Sequence, residues 1–284
     1  MAVLKSLVNS IPLDFVSIND RGLNYGDGLF ETICIANKNI VLWEAHYSRL
    51  KQGCESLDIL VPTEKELMSD MTQLMSEIDD DKLYVLKIIV TRGNSERGYK
   101  VSVKDNPNIV MLLLLYPDYS SDYWISGVSV TICETILSHQ PKLVGLKHLN
   151  RLEQVLARKE WNNEYQEGIM TDITGNVVEG VMSNIFLVKD NDVFTPSLKK
   201  AGVCGVMRQS VLNLCIEKNI SIKEKPITLD ELKTADEIFL TNSLIGLWPV
   251  RNINNNNYNV GKVTKNIMQL LISKHAVPYG SSLL

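Results

Sequence analysis

GLKHLNRLEQVLAR, residues 145–158, is the stretch on which the reading of this chain turns. Asn150 and Glu153 are spaced as a capping-box-like helix start, which predicts a helix from about Arg151 to Asn162. Leu149, Leu152, Val155 and Leu156 give it one apolar face. Lys147 stands just ahead of that start, flanked by Val144, Leu146 and Leu149. Apolar neighbours desolvate an amine and favour its neutral form, which is the nucleophile needed to form an imine. A lysine beside a helix start is more often a plain surface residue, so this segment needs support from elsewhere in the chain.

Working outward, the first third reads as strands leading into helices. Leu29–Ala36 and Ile40–Trp43 are rich in strand formers and flank a turn at Asn37-Lys38-Asn39. From Glu44 to Leu57 the period changes, and Tyr47, Leu50, Cys54 and Leu57 make a helical stripe. Pro62 breaks the chain before a second helix over Glu64–Ile78, and strands follow at Tyr84–Thr91 and Ile109–Tyr116. Residues 118–126, polar and without a period, are expected to link an N-terminal α/β domain (1–117) to a C-terminal domain (127–284) that carries Lys147. Beyond the linker a strand at Val128–Cys133 precedes the Lys147 helix. Ile169–Val193 reads as antiparallel strands turning at Thr174-Gly175-Asn176, and Val206–Lys218 and Lys262–His275 read as helices. Short strands are expected at Ile220–Lys223 and Glu237–Leu240. The whole is an α+β chain of two domains, with mixed and antiparallel sheets flanked by helices.

Composition narrows the function. A net charge of −4 and a pI near 5.7, with no block of like charge, argue against a nucleic-acid binder. The five scattered cysteines form no C-x-x-C pair, so neither a disulfide framework nor a zinc site is expected, and a reducing cytoplasmic setting fits. The longest apolar run, Ile109–Tyr116, is too short to cross a bilayer, and the start of the chain is a poor signal peptide. No P-loop, dinucleotide fingerprint, H-E-x-x-H or G-x-S-x-G is present, and the four histidines lack metal-ligand spacing, so no metal is expected.

The remaining signals suit one phosphorylated, electron-withdrawing cofactor. Glu179, in GNVVEGVMSNIF, closes a strand ahead of small residues and could hold a ring nitrogen protonated; a solvated turn glutamate reads as well from this segment alone. In AGVCGVMRQSV, Gly202 and Gly205 run into a helix whose first N–H groups, at Val206 and Met207, could bind phosphate. Arg49 in HYSRL and Ser243 in LTNSL could add a guanidinium and a hydroxyl. Each of these also has an ordinary structural reading.

Taken together and in order, DRGLNYGDGLFET (20–32), HYSRL (46–50), the Lys147 segment, EGVMSNIF (179–186), GVMRQ (205–209) and the strand ending at Ser243 resemble the fold-type IV pyridoxal-phosphate enzymes, the class IV aminotransferase family. The resemblance covers roughly residues 16–250. It implies a D-amino acid aminotransferase-like fold, pyridoxal 5′-phosphate as cofactor, Lys147 as the Schiff-base lysine and Glu179 as partner of the pyridine nitrogen. It also implies that Arg49, Val206, Met207 and Ser243 hold the phosphate.

Within the family, GLKHLNRLEQVLAR and TRGNSERGY (91–99) look like the aminodeoxychorismate lyase branch. That likeness implies cleavage of 4-amino-4-deoxychorismate to 4-aminobenzoate and pyruvate, with Arg97 and Tyr99 binding a substrate carboxylate. Glu31, an acid that aminotransferases of this fold also carry, joins them as a substrate-binding candidate. Ser243 stands where aminotransferases commonly have threonine. The family implies a homodimer acting on a small molecule, with no nucleic-acid or membrane partner. An aminotransferase of D-amino or branched-chain amino acids is the nearest alternative, and a non-catalytic binding protein on the same scaffold is another.

Overall fold

A computed structural model of the chain describes residues 2–95, 97–101 and 106–279. It divides into two compact units. The first contains strands β1 (Val3–Val8), β2 (Gly28–Ala36), β3 (Asn39–Ile40), β4 (Tyr84–Thr91) and β5 (Asn108–Leu115), which form one sheet in the order β1-β5-β4-β2-β3. Every pairing in it is antiparallel. The β2–β3 hairpin turns at Asn37 and Lys38, whose φ angles of 49° and 59° match the right-handed twist of the strands it joins.

Helices α1 (Arg21–Tyr25), α2 (Trp43–Ser56) and α3 (Glu64–Met75) complete this unit. A capping box between Thr63 and Glu66 opens α3, and its Leu67, Met71 and Leu74 recur at helical spacing. These join Leu50 and Cys54 of α2 and Leu29, Ile33 and Ile35 of β2 in one buried core.

Residues 146–150 belong to this first unit. The sequence assigned Lys147 to a domain spanning 127–284, and backbone pairing explains the difference. β3 pairs with β2 only at Ile35 and Ala36. The beginning of β2 instead bonds the lysine segment, Phe30 N to Lys147 O at 2.9 Å and Leu149 N to Gly28 O at 3.0 Å.

The second unit comprises Tyr119–Gly145 and Arg151–Leu284. Its strands are β6 (Val128–Ile132), β7 (Glu167–Thr171), β8 (Asn176–Gly180), β9 (Asn184–Lys189), β10 (Asp192–Pro196), β11 (Ile222–Lys225), β12 (Ile227–Thr228), β13 (Glu237–Asn242), β14 (Gly246–Ile253) and β15 (Asn256–Asn257). They run β11-β10-β9-β13-β14-β6-β7-β8-β12, with β15 folded back on β14. The sheet is mixed: β10–β11, β14–β6 and β6–β7 are parallel and the other pairs antiparallel. Its helices are α4 (Asp122–Ile125), α5 (Leu152–Arg158), α6 (Val206–Glu217), α7 (Leu229–Lys233) and α8 (Lys262–Ser273).

Helix α4 falls inside the expected linker 118–126. Trp124 on it is buried and donates its indole N–H to Ile245 O at 2.8 Å, so this stretch is part of the second unit. Helix α5 is shorter than expected and has no capping box. Asn150 donates instead to Gly26 O at 3.0 Å, and the Glu153 carboxylate accepts Ser138 N at 3.0 Å. The apolar face read on this helix is uncovered: Leu152 is 76% exposed, with Val155 and Leu156 also exposed.

Candidate active site

The candidate residues fall into one group in each unit. In the first, Lys147 is half-buried and held in an extended segment by the bond from Phe30 N, and its Nζ lies 4.3 Å from the centre of the Phe30 ring. An aromatic face beside the amine excludes water from one side of it.

Glu31 follows Phe30 on β2 and is 1% exposed. Its carboxylate takes Arg49 Nε at 2.8 Å on one oxygen, and on the other both Arg49 Nη2 and His46 Nδ1, the latter at 2.6 Å. His46 and Arg49 lie three positions apart on α2, which puts both on the face turned to β2. Burial raises the Glu31 carboxyl, but the Arg49 charge and the two partners' hydrogen bonds prevail and hold it at about 2. Burial pushes the His46 pKa down in spite of Glu31, and the charges of Arg49 and Lys147 add to the lowering. The imidazole is therefore neutral near pH 7 and donates its Nδ1–H to Glu31. Glu31, expected as a substrate contact, thus has both oxygens engaged inside the core.

Arg97 and Tyr99 are exposed, on a loop held by the 20–27 motif. Arg21, 3% exposed, donates through Nη1 to Gly98 O at 2.9 Å and Ser95 Oγ at 3.1 Å, and through Nε to Asp27 at 2.8 Å. The Tyr25 hydroxyl accepts Gly98 N at 3.0 Å, and the rings of Tyr25 and Tyr99 lie 5.4 Å apart. Burial raises the Asp27 pKa, but Arg92 and Arg21 outweigh it and keep the carboxylate ionised between them.

In the second unit Glu179, near the end of β8, is 4% exposed. Its Oε2 accepts Val203 N at 2.8 Å and the Asn184 amide at 3.4 Å, and the same amide donates to Val203 O at 2.9 Å. Burial pushes the Arg151 pKa down while the charges of Glu179 and Glu153 pull it up. The loop from Val203 leads into α6, capped by Gly205 in an extended conformation with no side-chain hydrogen bond to the helix. A Cβ at Gly205 would stand 1.9 Å from Asn184 Oδ1, so only glycine lets the loop approach β9 this closely. Val206 and Met207 occupy the first turn, where a helix's N–H groups point beyond its end.

Ser243 is half-buried on the turn after β13. Asn242 fixes that turn, accepting Leu244 N and Ile245 N, each at 2.9 Å, and donating to Met182 O at 3.1 Å.

This geometry can hold an anionic group at the α6 N-terminus and a protonated ring nitrogen against Glu179, both demands falling on one short loop. In the first unit Glu31 and Arg49 are paired and Lys147 lies beside Phe30; in the second Glu179 is bonded to Val203 N, three residues ahead of Val206 at the start of α6. His46, Arg21, Tyr25 and Asn184 were not singled out from the sequence. All four lie inside motifs quoted for other residues, and His46 had a usable signal in its three-residue spacing from Arg49.

The chain matches the class IV amino-transferase family over residues 28–253. It is 35% identical to an aminodeoxychorismate lyase of Vibrio harveyi over 92% of this chain and 97% of that protein. A putative branched-chain-amino-acid aminotransferase of Methanocaldococcus jannaschii is 32% identical, with 89% of each chain covered. Among solved structures, the 4-amino-4-deoxychorismate lyase of Pseudomonas aeruginosa superposes with a TM-score of 0.88 at 39% identity, over 95% of this chain and 99% of that one.

Proposed function

Because the chain belongs to the class IV amino-transferase family, we propose that it is a pyridoxal-phosphate-dependent lyase converting 4-amino-4-deoxychorismate to 4-aminobenzoate and pyruvate. The observation that carries the choice of lyase over aminotransferase is the near full-length likeness to the Pseudomonas aeruginosa lyase.

The residues fit the cofactor. The Glu179 carboxylate is held by Val203 N and Asn184 beside a helix start where glycine leaves room for close approach. Val206 N, Met207 N, Arg49 and Ser243 Oγ would hold the phosphate, and Glu31 and His46 would orient Arg49 rather than touch substrate. Glu179 would hold a proton on the ring nitrogen. When bound, the cofactor supplies an electron sink for the pair released as a C–H bond breaks. Lys147 Nζ, the point of attachment, takes the proton from the substrate carbon that carries the amino nitrogen. As the ring C–O bond to the enolpyruvyl group breaks, Lys147 or water would give a proton to the methylene carbon of the leaving enolate, which becomes pyruvate. Arg97 and Tyr99 orient a substrate carboxylate. Aromatisation of the ring drives the cleavage, so these side chains mainly position and stabilise.

We further infer a cytoplasmic homodimer. All five cysteines are free, and no helix among the described residues is long and apolar enough to cross a membrane. The uncovered Leu152, Val155 and Leu156 face of α5 supports burial against a second copy.

The test is an assay in which the upstream synthase makes 4-amino-4-deoxychorismate from chorismate and ammonia in the presence of the purified chain. Accumulation of 4-aminobenzoate supports the lyase. Its absence, with D-alanine or L-leucine converting the bound cofactor to its amine form, would establish the aminotransferase instead.

A further inference from the structure

Glu167 opens β7, is 1% exposed, and none of the roles above uses it. Its carboxylate is nonetheless surrounded by donors. Oε1 accepts its neighbour Gly168 N at 2.9 Å and Val181 N at 3.0 Å; Oε2 accepts Met182 N at 3.1 Å and Ser183 Oγ at 3.0 Å. Burial pushes this carboxyl up to about 7 against the pull of the four donors. A group that costs so much to bury and meets so many donors has a task in the turn it binds.

That turn is the connection from β8 to β9. Glu179 stands at one end of it and Asn184, which donates to Glu179, at the other. Gly180 N closes it on Ser183 O at 2.6 Å. A Cβ at Gly180 would fall 2.3 Å from Ser183 Oγ and 3.1 Å from Glu167 Cδ, so the carboxylate fills the space directly beneath the residue after Glu179. Met182 O also accepts the Asn242 amide, tying the same turn to the one that bears Ser243.

We propose that Glu167 is a positioning residue: by gathering the donors of Val181, Met182 and Ser183 it sets the spacing of Glu179 from Asn184, and so aims Glu179 at the bound ring. This rests on the proposed role of Glu179 toward pyridoxal phosphate. Glutamine at 167 would turn an N–H₂ toward at least one of these donors, leaving the turn to shift while the strands on either side remain paired.

The experiment is a double-mutant cycle of Glu167→Gln and Glu179→Gln. It measures the pyridoxal-phosphate dissociation constant by absorbance titration of apoprotein, kcat on 4-amino-4-deoxychorismate, and melting temperature. Glu167→Gln alone should raise the dissociation constant and lower kcat by about tenfold each. Added to Glu179→Gln, it should change either by less than about twofold, because its effect passes through Glu179. Full multiplicative effects in the double variant, or wild-type binding and turnover in the single one, would overturn the inference. If Glu167→Gln does not fold, Ser183→Ala removes one donor from the same carboxylate. It should show a smaller loss that again disappears beside Glu179→Gln, and a loss that persists there counts against the proposal. A wild-type chain that binds no pyridoxal phosphate would sink the parent reading instead.

Discussion

Val203 N donates to Glu179 Oε2 at 2.8 Å, which joins the buried end of β8 to the loop that starts α6. The residue that would hold the ring nitrogen and the N–H groups that would hold the phosphate are thereby fixed to each other by backbone. Glu179→Gln keeps an oxygen for Val203 N but cannot hold a proton on a pyridine nitrogen. We expect pyridoxal phosphate still to bind while kcat falls by about 100-fold or more. Steady-state kinetics at saturating cofactor check this, and an unchanged kcat would remove Glu179 from the mechanism.

The Glu31 ion pair predicts acid sensitivity with a definite sign. Its folded pKa of about 2 lies below the ordinary 4.5, so the pair stabilises the fold above pH 4.5 and that contribution is lost as pH falls toward 2. Glu31→Gln leaves the Arg49 guanidinium in the core without its counter-ion, at a cost of about 3–5 kcal/mol near neutrality. The gap in melting temperature between wild type and variant should be widest above pH 4.5 and narrow steadily below it. A gap that does not change with pH would show that the charge of Glu31 contributes nothing.

Much of the first unit was legible because its signals are local. The Asn37-Lys38 turn, the α3 helix and the β-branched, aliphatic run of β4 each depend on residues close in sequence. Four strands were not read, β1, β14 and the two-residue β12 and β15. β14 lies between β13 and β6 in the sheet yet contains Pro249, which lacks a ladder N–H and masks the strand pattern. β1 begins with exposed Val3 and Leu4, so its pairing with β5 shows only once the sheet is assembled. In the proposed site, Lys147 and Glu179 were singled out more by motif order than by local chemistry. The apolar face ascribed to α5 came from true periodicity, but the side chains lie uncovered. Periodicity reports which residues share a face and not what covers that face.

The loop that carries Arg97 is fastened by Arg21, so the two should fail alike. Arg97→Ala should raise KM for 4-amino-4-deoxychorismate by about tenfold or more, as expected for a lost charge-assisted bond to a carboxylate. Arg21→Gln removes the grip on Ser95 and Gly98 and should raise KM in the same direction by a smaller factor. Initial-rate measurements decide this. If Arg97→Ala lowers kcat and leaves KM alone, the loop does not hold the substrate carboxylate.

The single chemical commitment underlying the account is that Lys147 carries pyridoxal phosphate. The direct measurement is borohydride reduction of the purified holoprotein followed by peptide mapping. The account predicts one reduced pyridoxyl label, on the peptide containing Lys147, and none in Lys147→Ala. A label on any other lysine, or a wild-type chain that takes up no label in the presence of excess pyridoxal phosphate, would contradict it.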